Sequence, residues 1–148
     1  MGRQPVAPMV AATLVSLFRM GPILLIMSTA FAPDTLSDAD YRASADAVLA
    51  HVEKTIDRWL DDDVVDIDTS RTGGLLELTF PDGSKIVLNT QPPLQEIWLA
   101  ARAGGFHYKS SGGRWLDTRN GGELLAALSA QCSAQSGRPL EFAPVAAS

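Results

Sequence analysis

The spacing of apolar residues changes along this chain, and that change limits the folds available to it. From residue 41 to residue 60, apolar side chains recur every three or four positions, which is typical of a helix with one buried face. After residue 64 they alternate with polar side chains, as in strands that bury one face. A helical spacing returns after residue 120. A helix, a run of strands and a second helix together predict an α+β fold.

Both predicted helices have recognisable ends. The first begins at Ser37, which is a favourable N-cap residue, and runs to about Leu60. Asn120 is the predicted N-cap of the last helix, with Glu123 at the reciprocal position of a capping box. Gly137 is predicted to end that helix.

Six short strands are predicted between the helices. The first lies at residues 65–68, and the others at residues 76–80, 85–89, 94–100, 105–109 and 114–117. Tight turns join several of them, which favours antiparallel pairing. We expect a two-layer sandwich, with a six-stranded antiparallel sheet and both helices packed on one face. The other face is expected to lie in solvent.

The chain has 148 residues, which is enough for one domain but short for two. Residues 36–142 are assigned to that domain and residues 143–148 to a tail. Cys132 is the only cysteine, so an internal disulfide or a cysteine-rich metal site cannot form. A single thiol is also what a reducing compartment leads us to expect.

Residues 1–35 are assigned to an apolar extension outside the domain. They include a run that imitates a signal peptide, followed by an Ala-x-Ala cleavage pattern at residues 30–32. Arg19 and Pro22 interrupt the apolar stretch, and a bilayer span needs roughly 20 apolar residues. We favour a start-codon error, with the true start at an internal methionine such as Met27. An unstructured extension and export remain as alternatives.

Negative charge is concentrated in one third of the chain. The net charge is −5, and residues 37–68 alone hold ten acids and three bases. This balance argues against nucleic acid as a partner, because phosphate binding needs a basic surface. Glu53, Asp57 and Asp61 follow one face of the first helix, and Asp66 and Asp68 are expected to continue that surface onto the first strand.

Carboxylates grouped on one convex surface are hard oxygen ligands, which can bind Fe²⁺, Fe³⁺ or Ca²⁺ weakly and without selectivity. The ordinary alternative is a solvated charged face that binds nothing. The glycine pairs do not have the spacing of a phosphate-binding loop, and the sequence contains no recognised nucleophile motif or His/Cys metal motif. The sequence therefore favours binding over catalysis.

Trp98 is the main candidate for a contact residue on the predicted open face. Tryptophans are highly buried on average, which favours a core position. Alternation with the inward-facing Ile97 and Leu99 instead places Trp98 and Glu96 on the outer side. An exposed tryptophan on a sheet is typical of a contact anchor. The same outer side is expected to carry Asn89, Gln91 and His107.

Several short motifs resemble those of bacterial frataxins of the CyaY type. They are an Asp-rich passage between Trp59 and Gly73-Gly74, FPDGSKI at residues 80–86, NTQPP at 89–93, IWLA at 97–100 and GGFH at 104–107. The resemblance covers about residues 36–142, and the combination of NTQPP with IWLA is specific. There are departures, since Lys54 and Arg58 stand where relatives usually carry acids, and Glu96 stands where glutamine is common.

The resemblance implies an iron-binding regulator of iron–sulfur cluster assembly. Iron is expected to bind weakly to an acidic ridge, and the same acids are expected to dock on the cysteine desulfurase. An open-face patch is expected to contact the cluster scaffold protein. By resemblance, the acidic ridge consists of Glu53, Asp57, Asp61, Asp62, Asp63, Asp66 and Asp68. The patch consists of Asn89, Gln91, Trp98 and His107.

We expect a cytoplasmic protein that is not an enzyme, binds neither nucleic acid nor membrane, and is a monomer, with iron-dependent oligomers left open. Two other functions stay open at this point. One is an acidic protein-interaction module in which metal has no role. The other is a ferroxidase that oxidises bound iron with the same acids.

Overall fold

The computed structural model describes residues 32–145, so the expectations for residues 1–31 and 146–148 lie outside it. Two helices, α1 (Asp38–Asp61) and α2 (Leu124–Ser136), flank a run of strands. These strands are β1 (Asp68–Thr72), β2 (Leu75–Thr79), β3 (Lys85–Gln91), β4 (Glu96–Ala101), β5 (Gly104–Ser111) and β6 (Arg114–Asp117). They form one antiparallel sheet in sequence order, which confirms the predicted α+β fold. Among residues 32–145, no helix is long and apolar enough to cross a membrane.

The hydrophobic core lies between the two helices and one face of the sheet. The predicted stripe of α1 is buried from Tyr41 to Ile56, and α2 adds three leucines and Cys132 to the same cluster. Both helices therefore pack on one face, as predicted. Leu60 is an exception, because this residue is 49% exposed in the last turn of α1. Its neighbour Trp59 packs instead, with its ring centroid 4.7 Å from that of Phe142. We call the sheet face away from the helices the open face.

Tyr41 joins α1 to the middle of the sheet. Its hydroxyl donates a hydrogen bond of 2.6 Å to the carbonyl oxygen of Glu96 and accepts one of 3.0 Å from the backbone N–H of Gln91. Burial of the ring raises the pKa of Tyr41 above its usual value of 10.0. One phenol therefore satisfies two backbone groups on adjacent strands, which fixes the start of α1 against β3 and β4.

The predicted range of the first strand, residues 65–68, was wrong at both ends, because β1 spans Asp68–Thr72. β1 begins at Asp68, which pairs with Thr79, the last residue of β2. Beyond Thr79 the chain turns, because the N–H of Phe80 bonds to the carbonyl of Ser84 at 2.9 Å. Residues 65–67 thus have no partner in β2, although Ile67 is buried in the core.

Two further boundaries differ from the prediction. Glu123, not Asn120, is the N-cap of α2, since its carboxylate accepts the backbone N–H groups of Leu125 and Ala126 at 2.8 and 3.1 Å. Asn120 instead accepts the N–H of Gly122 at 2.8 Å, in the turn before the helix. Leu94, the predicted first residue of the fourth strand, instead ends a 3₁₀ turn at Pro92–Leu94, and β4 begins at Glu96.

Residues just outside the predicted domain limits are bonded to the domain. The backbone N–H of Asp34 donates to the carbonyl of Ser110 at 2.8 Å, and its carboxylate accepts the Ser110 hydroxyl at 2.9 Å. At the other end, Nε2 of His51 lies 2.6 Å from the carbonyl oxygen of Ala143. These bonds attach both flanking segments to the folded unit.

Candidate functional site

Two acids of the ridge project from the exposed side of α1. The opposite side of the helix is buried against the sheet, which leaves Asp57 and Asp61 in solvent. The helix is stable in this position because its apolar stripe is buried and because Ser37 accepts the N–H of Asp40 at 3.1 Å as N-cap. The carboxylates are thus placed by the burial of the residues behind them.

Asp62 and Asp63 lie in the turn that ends α1. Asp62 is the C-cap, and Asp63 has a left-handed backbone with φ 56°, a conformation that Asp tolerates better than most residues. The turn is closed by a 2.7 Å hydrogen bond from the N–H of Val64 to the carbonyl of Trp59. Both aspartates are exposed, so the turn directs them to solvent.

Asp66 and Asp68 are also exposed, but they belong to a different part of the surface. The cross-strand partner of Asp68 is Thr79, whose neighbour Leu78 faces the core. Asp68 therefore lies on the open face of the sheet, because paired residues share a face. The ridge passes from the helix, through the turn, to the edge strand of the sheet.

Glu53 differs from the other ridge acids because an arginine of β1 binds it. Arg71 donates to Glu53 at 2.9 Å and to Asp46 at 3.0 Å, and its Nε bonds to the carbonyl of Gly73 at 3.2 Å. The Glu53 side chain is only 30% exposed. Its charge is neutralised by a link between α1 and β1, so Glu53 is the least available metal ligand of the predicted set.

The remaining ridge acids offer oxygen ligands without a shared cage. Within residues 32–145, no group of three or more His, Cys, Asp or Glu side chains could hold one metal ion between them. Exposed carboxylates that bind a hard cation singly or in pairs leave most of its ligand positions to water. The oxygen atoms of these donors suit a hard cation such as iron.

The predicted patch forms two rows across the centre of the open face. In the first row, Trp98 pairs with Asn89 on one side and with His107 on the other. Gln91 belongs to the second row, where it pairs with Glu96. Trp98 is half-buried rather than fully exposed, because its ring is stacked on that of His107 with centroids 4.4 Å apart and planes at 11°.

Glu96 lies on the open face, but the expectation that it lies in solvent was wrong. Its side chain is 10% exposed, since Trp98, His107 and Lys109 surround it. Alternation correctly indicates the face of a residue, but it cannot show whether neighbouring side chains cover it. A carboxylate two positions before a tryptophan on the same face was the available signal.

The chain resembles known proteins in sequence and in fold. A family model described as a frataxin-like domain matches residues 34–138. The iron–sulfur cluster assembly protein CyaY of Burkholderia mallei (strain SAVP1) is 51% identical over 107 residues, which cover 72% of this chain and 98% of the relative. The protein of the same name from Cupriavidus taiwanensis is 50% identical, covering 72% and 96%.

A solved frataxin from Psychromonas ingrahamii has a TM-score of 0.66 and 33% identity, over 73% of this chain and 99% of its own. A trimeric yeast frataxin, solved in a ferrous complex, has a TM-score of 0.56 over 72% of this chain and 92% of its own. At 23% identity, that second likeness supports the fold alone.

Proposed function

This chain belongs to the frataxin-like family, and on that premise we propose that it is an iron-binding regulator of iron–sulfur cluster assembly. Curated relatives with half of their residues identical are named for cluster assembly. The observation that carries the proposal is the run of exposed carboxylates from α1 to β1, in a segment with ten acids and three bases. Exposed acids of this density attract cations and basic protein surfaces.

Two surfaces have separate roles in this proposal. The acidic ridge binds iron as cargo and docks on a basic surface of the cysteine desulfurase, while the open-face patch around Trp98 contacts the scaffold protein. The protein acts in the cytoplasm as a monomer, and it regulates the assembly enzymes without catalysis of its own. The physical support is the exposure of the acids and the position of an aromatic ring on an uncovered sheet face.

Charge reversal tests the docking role. Lysine at Asp57, Asp61 and Asp62 should weaken binding to purified desulfurase by roughly tenfold or more, and wild-type binding should weaken steeply with added salt. A single reversal, Asp61→Lys, should be compared with Glu141→Lys, because Glu141 is an exposed acid outside the ridge. Equal effects of these two reversals, or an affinity for the desulfurase that does not change with salt, would show that the ridge is not the docking surface.

Thermal stability in the presence of metal tests the iron-binding role. Ions that bind only the folded protein stabilise it by about 1.4 kcal/mol at ten times their dissociation constant. Anaerobic Fe²⁺ should therefore raise the melting temperature in the millimolar range, and Ca²⁺ should do so as well. Asparagine at Asp57, Asp61 and Asp62 should reduce that response while raising the stability of the metal-free protein.

The alternatives predict different results in the same samples. A melting temperature that changes with neither Fe²⁺ nor Ca²⁺, in a protein that still binds the desulfurase, would indicate an interaction module without a metal role. Consumption of oxygen with multiple turnovers of Fe²⁺ would indicate a ferroxidase.

A further inference from the structure

A carboxylate is buried on the sheet face that the helices leave uncovered. The Glu96 side chain is only 10% exposed, although that face has no second layer among residues 32–145. Burial of a charged group is unfavourable unless the group is paired and hydrogen-bonded. Glu96 is therefore held in place by its neighbours, and each of its two carboxylate oxygens lies close to at least one polar group.

The neighbours of Glu96 come from two strands. Nε1 of Trp98 donates a 2.8 Å hydrogen bond to Oε1 of Glu96, and Nδ1 of His107 lies 3.5 Å from the same oxygen. Nζ of Lys109 lies 3.6 Å from Oε2 and donates to the carbonyl of Leu94 at 2.7 Å. One carboxylate oxygen thus meets the polar edges of both stacked rings, while the other faces a cation.

This arrangement fixes the two rings before any partner arrives. Trp98 and His107 are cross-strand partners, and their rings are nearly parallel. A hydrogen bond at the edge of the indole selects one rotamer of Trp98, and the stack then orients His107. Ordering a side chain during association costs roughly 0.5–1.5 kcal/mol, which corresponds to about a two- to twelvefold loss of affinity per side chain.

We propose that Glu96 is a positioning residue, which holds Trp98 and His107 as one preordered contact unit on the open face. The role of that unit in scaffold contact rests on the function proposed above, whereas the ordering of the rings does not depend on it. The test therefore has one measurement on the free protein and another on the complex.

The first measurement is the indole N–H resonance of Trp98 in the ¹⁵N-labelled free protein. The chain has three tryptophans, and Trp98→Phe identifies the resonance by its loss. Glu96→Leu keeps most of the buried volume but removes the acceptor. It should move the Trp98 resonance upfield and lower its heteronuclear NOE, while Glu96→Gln, which keeps an acceptor oxygen, should restore most of both.

Glu77→Ala is the matched control, because Glu77 is a carboxylate of the same face whose ion pair is with Lys85, at 2.9 Å. It should leave the Trp98 resonance unchanged, because the polar contacts of Trp98 and His107 in the described residues involve Glu96 and not Glu77. If Glu96→Leu does not fold, Glu96→Ala provides the same measurement. An unchanged Trp98 resonance and NOE in a folded Glu96→Leu or Glu96→Ala protein would overturn the proposal.

The second measurement is a double-mutant cycle for binding to purified scaffold protein. Glu96→Leu should weaken binding by roughly tenfold, the combined effect of disordering two rings. Trp98→Ala should weaken it more, and the double variant should bind no worse than Trp98→Ala, because Glu96 acts through Trp98. Additive losses would overturn the positioning role. If Trp98→Ala leaves affinity unchanged while Glu96→Leu releases the indole, the positioning role is supported and the proposed scaffold interface is refuted.

Discussion

Replacing Arg71 with methionine removes the guanidinium that joins β1 to α1, and its effect can be estimated from the geometry. Arg71 binds Glu53 at 2.9 Å and Asp46 at 3.0 Å, and the three side chains are 25%, 30% and 62% exposed. Ion pairs at a solvent-exposed surface contribute about 0.2–1 kcal/mol each. The bond to the half-buried Glu53 belongs near the upper end of that range, and the bond to Asp46 near the lower end.

We therefore expect Arg71→Met to lower the free energy of unfolding by about 1 kcal/mol, or the melting temperature by roughly 4 °C for a domain of this size. The variant also leaves two acids uncompensated in a segment that already has an excess of negative charge. The loss should therefore shrink when salt rises from about 0.1 M to 1 M, as the screening length falls from about 10 Å to 3 Å. Without Arg71, the Glu53 carboxylate should be free to bind a cation, so Ca²⁺ or Fe²⁺ should stabilise the folded variant more than the wild type.

Urea denaturation at two salt concentrations measures this loss. Lys85→Met is the matched control, because Lys85 binds Glu77 across two strands with side chains that are 52% and 35% exposed. Its loss should stay below about 0.5 kcal/mol. An Arg71→Met protein as stable as the wild type, or a loss that salt does not change, would refute the electrostatic link between α1 and β1.

Two further predictions concern buried groups. Tyr41→Phe should lower the free energy of unfolding by about 1–3 kcal/mol, because it removes the hydroxyl that bonds to the carbonyl of Glu96 and to the N–H of Gln91. A loss below about 0.5 kcal/mol in urea denaturation would show that this hydroxyl does not hold α1 on the sheet. Burial raises the pKa of the Cys132 thiol from 9.0 to about 12. As the pH rises, the thiol therefore loses its proton in the unfolded chain before it does so in the folded protein. The free energy of unfolding should thus fall as the pH rises from about 9 toward 12. Urea denaturation at pH 8 and pH 10 should show a smaller loss of stability in Cys132→Ala than in the wild type. Part of the loss should persist in the variant, since burial also raises the pKa of Tyr108 to about 12.

The sequence predicted those parts of the fold that depend on local spacing. The period of three to four residues identified α1, and alternation identified the inward-facing Ile97 and Leu99. Those signals are local, since a helix or a strand with one buried face repeats its pattern within a few residues. The face of Trp98 followed from the same alternation.

Features that depend on a partner strand or on several side chains were not predictable in this way. The start of β1 is set by the end of β2, where Phe80 bonds within its own turn. The burial of Glu96 requires side chains from β4 and β5 to converge. The pairing of Glu53 with Arg71, 18 residues later, requires the packing of α1 on the sheet. Each of these features depends on a tertiary contact, which the spacing of apolar residues along the sequence does not indicate.

The same packing decides which acids remain available for binding. Folding brings Arg71 to Glu53 and Asp46, so part of the negative charge of α1 is neutralised where the helix meets β1. The acids beyond that point, from Asp57 to Asp68, are exposed, and the structure shows no ion pair for them within residues 32–145. Like charges held close together lower the stability of the folded state. A stability requirement alone would favour more pairs of the Arg71 kind. In the function proposed above, a cation or a basic partner would supply that compensation from outside.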